Sequence, residues 1–366
     1  MIKSTSLLAA ALVGLSLHTS PAVAEFQRGY VAMMGSSTIV PYVKEAGEKA
    51  SSHGHLHAPL IQASGTGGGI KLFCEGYGPE SPDVALASRA MKPKEREECE
   101  RNGVAKILEV KIGYDALILA QSAKAEPWTL SHDEARMAFA KWLVSHDGTM
   151  ALNPNHQWKD VKASLPNTRI ALLGPPATSG SHDAFLDLIS ELECKKLPWV
   201  PQGPKDITAD LQRKCRSIRE DGIYKEGRDN DLSHVDMIAT SSTPAIGLFG
   251  YKMLTDHSDK LHAIPIDGIE PTYANISSDT YMGARPLYLY VKARNVGVTP
   301  GLSEFLAEIT SEDAFGDKGY LRKAGLITLP AQDRAAMAAL LKDAGVSPAR
   351  AGAPSKSSQG PASKKK

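Results

Sequence analysis

The chain has almost no excess charge of either sign. Lys and Arg number 42 against 41 Asp and Glu, a formal net charge of +1 at pH 7, so there is no long-range basic field of the kind that gathers nucleic acid or an acidic membrane surface. Any anion has to be held by local dipoles and one or two arginines. Cysteine is scarce, four in 366 residues. None belongs to a C-x-x-C pair and no paired-histidine spacing accompanies them, which leaves a zinc site without its usual ligands. Past the first 24 residues no apolar run reaches the roughly 20 residues that a membrane helix needs. Also absent are an internal repeat of fixed period and any Ser or Asp with a positioned base, or carboxylate and histidine cluster, that would mark a catalytic nucleophile or metal-bound water.

What is present starts with a leader. Lys3 supplies a positive n-region, 7–17 is an apolar core too short to span a bilayer, and Ala22-Val23-Ala24 is an A-x-A-like cleavage site. Residues 1–24 read as a signal peptide cleaved after Ala24, and the mature protein as exported and soluble. No cysteine lies near that site to carry a lipid. At the other end, 346–366 is rich in Ala, Pro, Gly, Ser and Lys and ends in three lysines, a composition with little to bury, and reads as a disordered tail. In an exported chain four cysteines read as two disulfides. Three connectivities are open; the short-range one, Cys74 to Cys99 and Cys194 to Cys215, is preferred because it keeps each bridge on its own side of the 112–116 segment. Each bridge closes a loop of about 20 to 25 residues and contributes roughly 3 kcal/mol.

Apolar runs alternate with helical periodicity. Strands are expected at 31–34, 60–63, 83–87, 107–112 and 116–120, with helices near 39–51, 69–75 and 93–102. A second series follows: a helix near 131–145, a strand at 169–173, helices near 180–193 and 207–219, and a strand ending before Gly250. A strand at 285–291 and helices near 301–309 and 331–344 complete it. This is an α/β pattern long enough for two domains.

Three small-residue loops stand out: Met34-Gly35-Ser36-Ser37-Thr38, Ser64-Gly65-Thr66-Gly67-Gly68-Gly69 and Thr178-Ser179-Gly180-Ser181. Each follows a strand-like run and precedes a helix-like one. A helix start leaves backbone N–H groups unpaired and carries partial positive charge, so glycine for close approach and hydroxyls for extra donors make a cradle for a tetrahedral oxyanion.

Seven segments, in order, resemble the periplasmic phosphate-binding proteins of ABC transporters. They are Gly35-Ser-Ser-Thr38, Gly65-Thr-Gly-Gly-Gly-Ile-Lys71, Asp83-Val-Ala-Leu-Ala-Ser-Arg89, Ile112-Gly-Tyr-Asp-Ala116, Gly174-Pro-Pro-Ala-Thr-Ser-Gly180, Ala245-Ile-Gly-Leu-Phe-Gly-Tyr251 and the run 281–291. The resemblance implies an α/β, two-lobed binding-protein fold with a ligand cleft between the lobes and two crossing hinge strands. Lobe one would comprise 26–115 and 268–345, lobe two 116–267. It further implies a monomeric, non-catalytic protein that captures inorganic phosphate and delivers it to a membrane permease, with no cofactor and no metal.

Carried over by residue, the hydroxyls of Ser37 and Thr38 and the N–H of Ile39 come from the first loop, Thr66 with Gly67 behind it from the second, and Ser179, Gly180 and Ser181 from lobe two. The chain departs from the best-known branch in two places: Pro175 stands where that branch has an arginine, and Arg89 where it has an aspartate. Arg89 is therefore expected to supply the cation. His182 stands where related members have arginine. Asp115, a carboxylate in an apolar strand run, needs a partner; it is either the partner of Arg89 or an acceptor for the ligand's proton. Asp83 reads as structural and His53, His55 and His57 as a solvated loop. The alternatives are a phosphomonoesterase using the same cradle and a surface adhesion protein with a vestigial site.

Overall fold

The structure is a computed structural model describing residues 28–52, 57–144, 150–177, 179–186, 188, 210, 213–227 and 232–347. The expected leader, most of the expected tail, Thr178, Cys194 and much of the expected helices near 180–193 and 207–219 lie outside the described residues. The first elements follow the apolar pattern: β1 (Ala32–Gly35), α1 (Val40–Ser52), β2 (Leu60–Ala63), α2 (Gly65–Phe73), β3 (Val84–Ala87) and α3 (Pro93–Arg101). In α1 the buried residues Tyr42, Val43, Ala46, Gly47 and Ala50 recur at helical spacing, one face inward.

The expected runs 107–112 and 116–120 are one strand, β4 (Ile107–Ser122), which continues through the polar interruption at Asp115. Then come α4 (His132–Phe139), β5 (Trp142–Val144), β6 (Met150–Leu152), α5 (Trp158–Val161), β7 (Leu172–Gly174), α6 (Gly180–Leu186), β8 (Tyr224–Glu226), β9 (Ile246–Gly250), β10 (Leu261–Ala263) and β11 (Ala284–Lys292). Helices Leu302–Ile309 and Ala331–Asp343 fall where expected. The helix expected near 131–145 is shorter, because the Asn153 amide takes the carbonyls of Met137 and Ala140, each at 2.8 Å, and β5 begins two residues later.

Among the described residues the strands run β2-β1-β3-β11-β4-β9-β7-β8, with β10 also on β4. β1 lies parallel to β2 and β3, and β7 parallel to β8 and β9. Between these two parallel groups β4 and β11 cross antiparallel. β4 pairs β11 over 107–116 and β9 over 117–120, so Asp115 and its register partner Arg285 sit where the strand passes from one group to the other. One core covers β1, β3, β4 and β11; a second gathers Trp128, Phe139, Trp158, Phe185 and Tyr224 around β7 and the far half of β4.

Cys74 and Cys99 form a disulfide between α2 and α3, and Cys215 is disulfide-bonded as well. Asp83 is structural, as expected: it accepts hydrogen bonds from Arg28 (3.0 Å), the Ala32 N–H (2.8 Å), Asn295 (2.6 Å) and Thr299 (2.9 Å). Lys292 is wholly buried beside it, donating to Ser81 Oγ at 2.6 Å and to the Gly76 carbonyl. Burial pushes its pKa down to about 8, against the pull of the Asp83 charge. Among the described residues no helix is long and apolar enough to cross a membrane, and no group of His, Cys, Asp and Glu could hold a metal. His57 is exposed; His53 and His55 lie outside the described residues.

Candidate functional site

Parallel strands deliver the three loops to one place. The segments after β1, β2 and β3 leave adjacent carboxyl ends in the first group, and the segment after β7 leaves a carboxyl end in the second, the edge at which open α/β sheets hold ligands. Contact between the two groups is direct. A Cβ placed on Gly180 would overlap Ser37 Oγ and stand 3.3 Å from Ser37 Cβ and 3.6 Å from Thr38 Oγ1. The first and third loops therefore meet, and glycine at Gly180 leaves the Ser37 hydroxyl where it stands.

The first loop turns over Ser36–Ile39 before α1. Ser36 N–H donates to the Leu86 carbonyl at 2.8 Å, and the Ile39 side chain is completely buried as the loop's anchor. Ile39 N lies 3.4 Å from the Ser36 carbonyl, a long contact that a better acceptor would displace. The second loop differs from the reading above, because α2 starts at Gly65 rather than near 69 and its glycines form the helix's first turns. Glycine is a poor helix former, so packing decides here: a Cβ on Gly69 would overlap Met34 O and Gly35 Cα.

Ser88, which the sequence did not single out, ties two loops together. Its N–H donates to Thr66 Oγ1 at 3.1 Å, its hydroxyl lies 3.2 Å from the same atom, and Ser36 Oγ donates to it at 3.1 Å. In the third loop Ser179 N–H donates to the Pro176 carbonyl at 2.9 Å, and Ser179 Oγ accepts the Ser181 N–H at 3.0 Å. Tyr224 fixes the approach to this loop by donating to the Pro175 carbonyl at 2.7 Å. Thr66 Oγ1 and Ser179 Oγ thus each accept a backbone N–H, which fixes the position of both hydroxyls in the cradle. His182 is buried in the first turn of α6.

Residues 20–313 match the sequence profile of the PBP superfamily domain. The chain belongs to the PBP superfamily. Protein SphX of Synechococcus elongatus is 26% identical over 319 residues, which is 84% of this chain and 80% of that one. Phosphate-binding protein PstS of Staphylococcus epidermidis is 26% identical over 296 residues, 78% of this chain and 77% of its own. The crystal structure of a possible phosphate binding protein from Planctomyces limnophilus superposes with a TM-score of 0.67 at 26% identity, covering 87% of this chain and 99% of that one. An ABC-type phosphate transport receptor from Vibrio cholerae shares the fold, with a TM-score of 0.58 at 17% identity over 82% of this chain and all of its own.

Within that superfamily fold the charged groups differ from the expectation. Asp115 does not pair with Arg89. Its Oδ2 takes an ion pair from Arg285 Nη2, the cross-strand neighbour on β11. Arg89 instead grips Glu95, Nη1 to Oε2 at 2.9 Å and Nη2 to Oε1 at 2.7 Å. Burial acts to raise the Glu95 carboxyl, but the Arg89 hydrogen bond and a backbone bond from Lys92 outweigh it and hold the group below the usual carboxylate range. Arg89 stays close to the second loop, with Nη2 3.8 Å from where a Cβ on Gly67 would stand.

Arg285 was missed because its sequence context is that of an apolar strand, 284–292. The clue was the charge itself: an arginine and an aspartate, each isolated in such a strand, need each other. Tyr42, three residues beyond Ile39, packs nearby. Burial raises its phenol pKa far above the ordinary value, and the Asp115 charge adds to that.

Proposed function

We propose that this protein is an exported receptor that binds inorganic phosphate between its two halves and passes it to the permease of an ABC transporter. It acts as a monomer and as a binding protein, not an enzyme. The observation that carries the reading is the meeting of the Ser37-Thr38 turn with Gly180, which brings hydroxyl and N–H donors from both strand groups to one point. Relatives and structural neighbours are named for phosphate binding and phosphate transport.

In this reading Ser37, Thr38 and the Ile39 N–H, Thr66 with Gly67, and Ser179, Gly180 and Ser181 surround the anion. Arg89 adds positive charge from the rim, and Asp115 accepts the hydrogen that phosphate keeps near neutral pH. Sulfate has no such hydrogen, so its oxygen would face the carboxylate unpaired, which is the basis for rejecting it.

The test is calorimetric titration of the mature protein with phosphate, together with small-angle scattering. One phosphate is expected to bind per chain and to reduce the radius of gyration, because a ligand that touches both halves favours the closed arrangement. No heat and an unchanged radius would refute the assignment. Ser179→Ala and Thr66→Ala are each expected to weaken phosphate binding by about 10- to 100-fold, since a hydroxyl bonded to a charged ligand contributes roughly 1.5 to 3 kcal/mol. Affinities within twofold of the unaltered protein for both would make these hydroxyls structural.

A further inference from the structure

We propose that Arg285 is the resident cation of the anion site and that Asp115 is its built-in counter-ion, occupying the guanidinium when no anion is bound. The inference rests on the phosphate-binding reading and adds to it a residue and an electrostatic device. Arg285 is 5% exposed. Its Nη2 donates to Asp115 Oδ2, and its Nη1 reaches Thr38 Oγ1 at 3.3 Å. Its Nε is buried with no hydrogen-bond partner among the described residues.

A guanidinium has N–H donors on every nitrogen and no acceptor, so a buried one with an unused donor is an incomplete constellation that an oxyanion would complete. The location fits. Thr38 Oγ1, which Arg285 touches, is 3.6 Å from the position a Cβ on Gly180 would take, so the charge lies one contact from the place where the two strand groups meet. Contact with Arg285 also makes the Thr38 hydroxyl an acceptor on that side and directs its hydrogen away from the guanidinium.

The pairing explains how a nearly neutral chain keeps a buried cation. An unpaired charge in the interior is strongly unfavourable, and the antiparallel register of β4 and β11 supplies Asp115 directly opposite. Asp115 is less enclosed than its partner, 16% exposed at the side chain against 6%, and so lies on the solvent side of the pair, where an arriving anion competes with it for the guanidinium.

Calorimetry with inorganic phosphate and with sulfate, joined to thermal melts with and without phosphate, tests this. Arg285→Gln is expected to weaken phosphate binding about 100-fold or more, the usual loss when a buried charge contact is truncated. Arg285→Lys keeps the charge but cannot serve Asp115 and Thr38 together, and should weaken it about threefold to tenfold while still melting in one cooperative transition. Lys in place of Arg decides the question even if the Gln variant fails to fold.

Asp115→Asn should melt lower than the unaltered protein without phosphate, gain a larger increment from saturating phosphate, and narrow the gap between phosphate and sulfate by about tenfold or more. Unchanged phosphate affinity in both Arg285 variants would overturn the role of Arg285. An Asp115→Asn protein that melts like the unaltered one would overturn the counter-ion role. Failure of the unaltered protein to bind phosphate would instead overturn the proposed function, and this inference with it.

Discussion

Gly180→Leu is expected to abolish phosphate binding, with no heat detectable at ligand concentrations about a thousandfold above those that saturate the unaltered protein. Any side chain at this position enters the space of Ser37 Oγ. For Gly180→Ala the conflict has a partial remedy, because the serine hydroxyl can rotate away. That rotation removes one donor from the cradle, and the expected loss is about tenfold, the value of one hydroxyl. The Cβ already stands 3.3 Å from Ser37 Cβ and 3.6 Å from Thr38 Oγ1, so the three further carbons of a leucine have to be placed between two loops in contact, and turning the Ser37 hydroxyl does not make room for them. The first and third loops are then held apart and the donors of the two halves cannot reach one anion. Gly180 is only partly buried, so the melting temperature without phosphate should move little. Retention of phosphate affinity within tenfold by Gly180→Leu would show that the two loops do not act on one ligand.

Gly69→Val should have the largest effect on stability. Gly69 lies in the second turn of α2, and a Cβ there would overlap Met34 O and Gly35 Cα of β1, with Gly35 N at 2.8 Å. These are backbone atoms of a central strand and have no rotamer to change. Helix and strand must separate, which carries the Thr66 turn away from the Ser37-Thr38 turn. Overpacking of this kind costs about 1 to 3 kcal/mol, more where backbone has to shift, and in a chain of this size lowers the melting temperature by about 2 to 4 °C per kcal/mol. We expect a loss of at least about 6 °C together with weakened phosphate binding. A variant that melts within a degree of the unaltered protein would mean that α2 stands off β1 in solution.

Most of the fold was legible in the sequence because its signals are local. A strand such as Leu172–Gly174 or Ile246–Gly250 is a short apolar run, and α1 shows its buried face by spacing. The boundaries that failed were those fixed by distant groups. α4 stops at Phe139 because a side chain from residue 153 takes its last carbonyls, and α2 runs from Gly65 against glycine's poor helix propensity, lying so close to β1 that at Gly69 the strand backbone leaves no room for a side chain.

The site divides the same way. Gly35, Thr66 and Gly180 declared themselves as small residues between a strand and a helix, since the chemistry of close approach and donation is carried by residue type alone. By itself the sequence determined the α/β class, the three loops, the near absence of net charge and the short Cys74 to Cys99 spacing that the disulfide follows. Only the tertiary structure decided which charges meet. Asp115 and Arg285 are 170 residues apart in the chain and face each other through strand register, whereas Arg89 is taken by Glu95 six residues away. An ion pair depends on distance in space, and a sequence that places two charges in apolar strands states that each needs a partner without stating which.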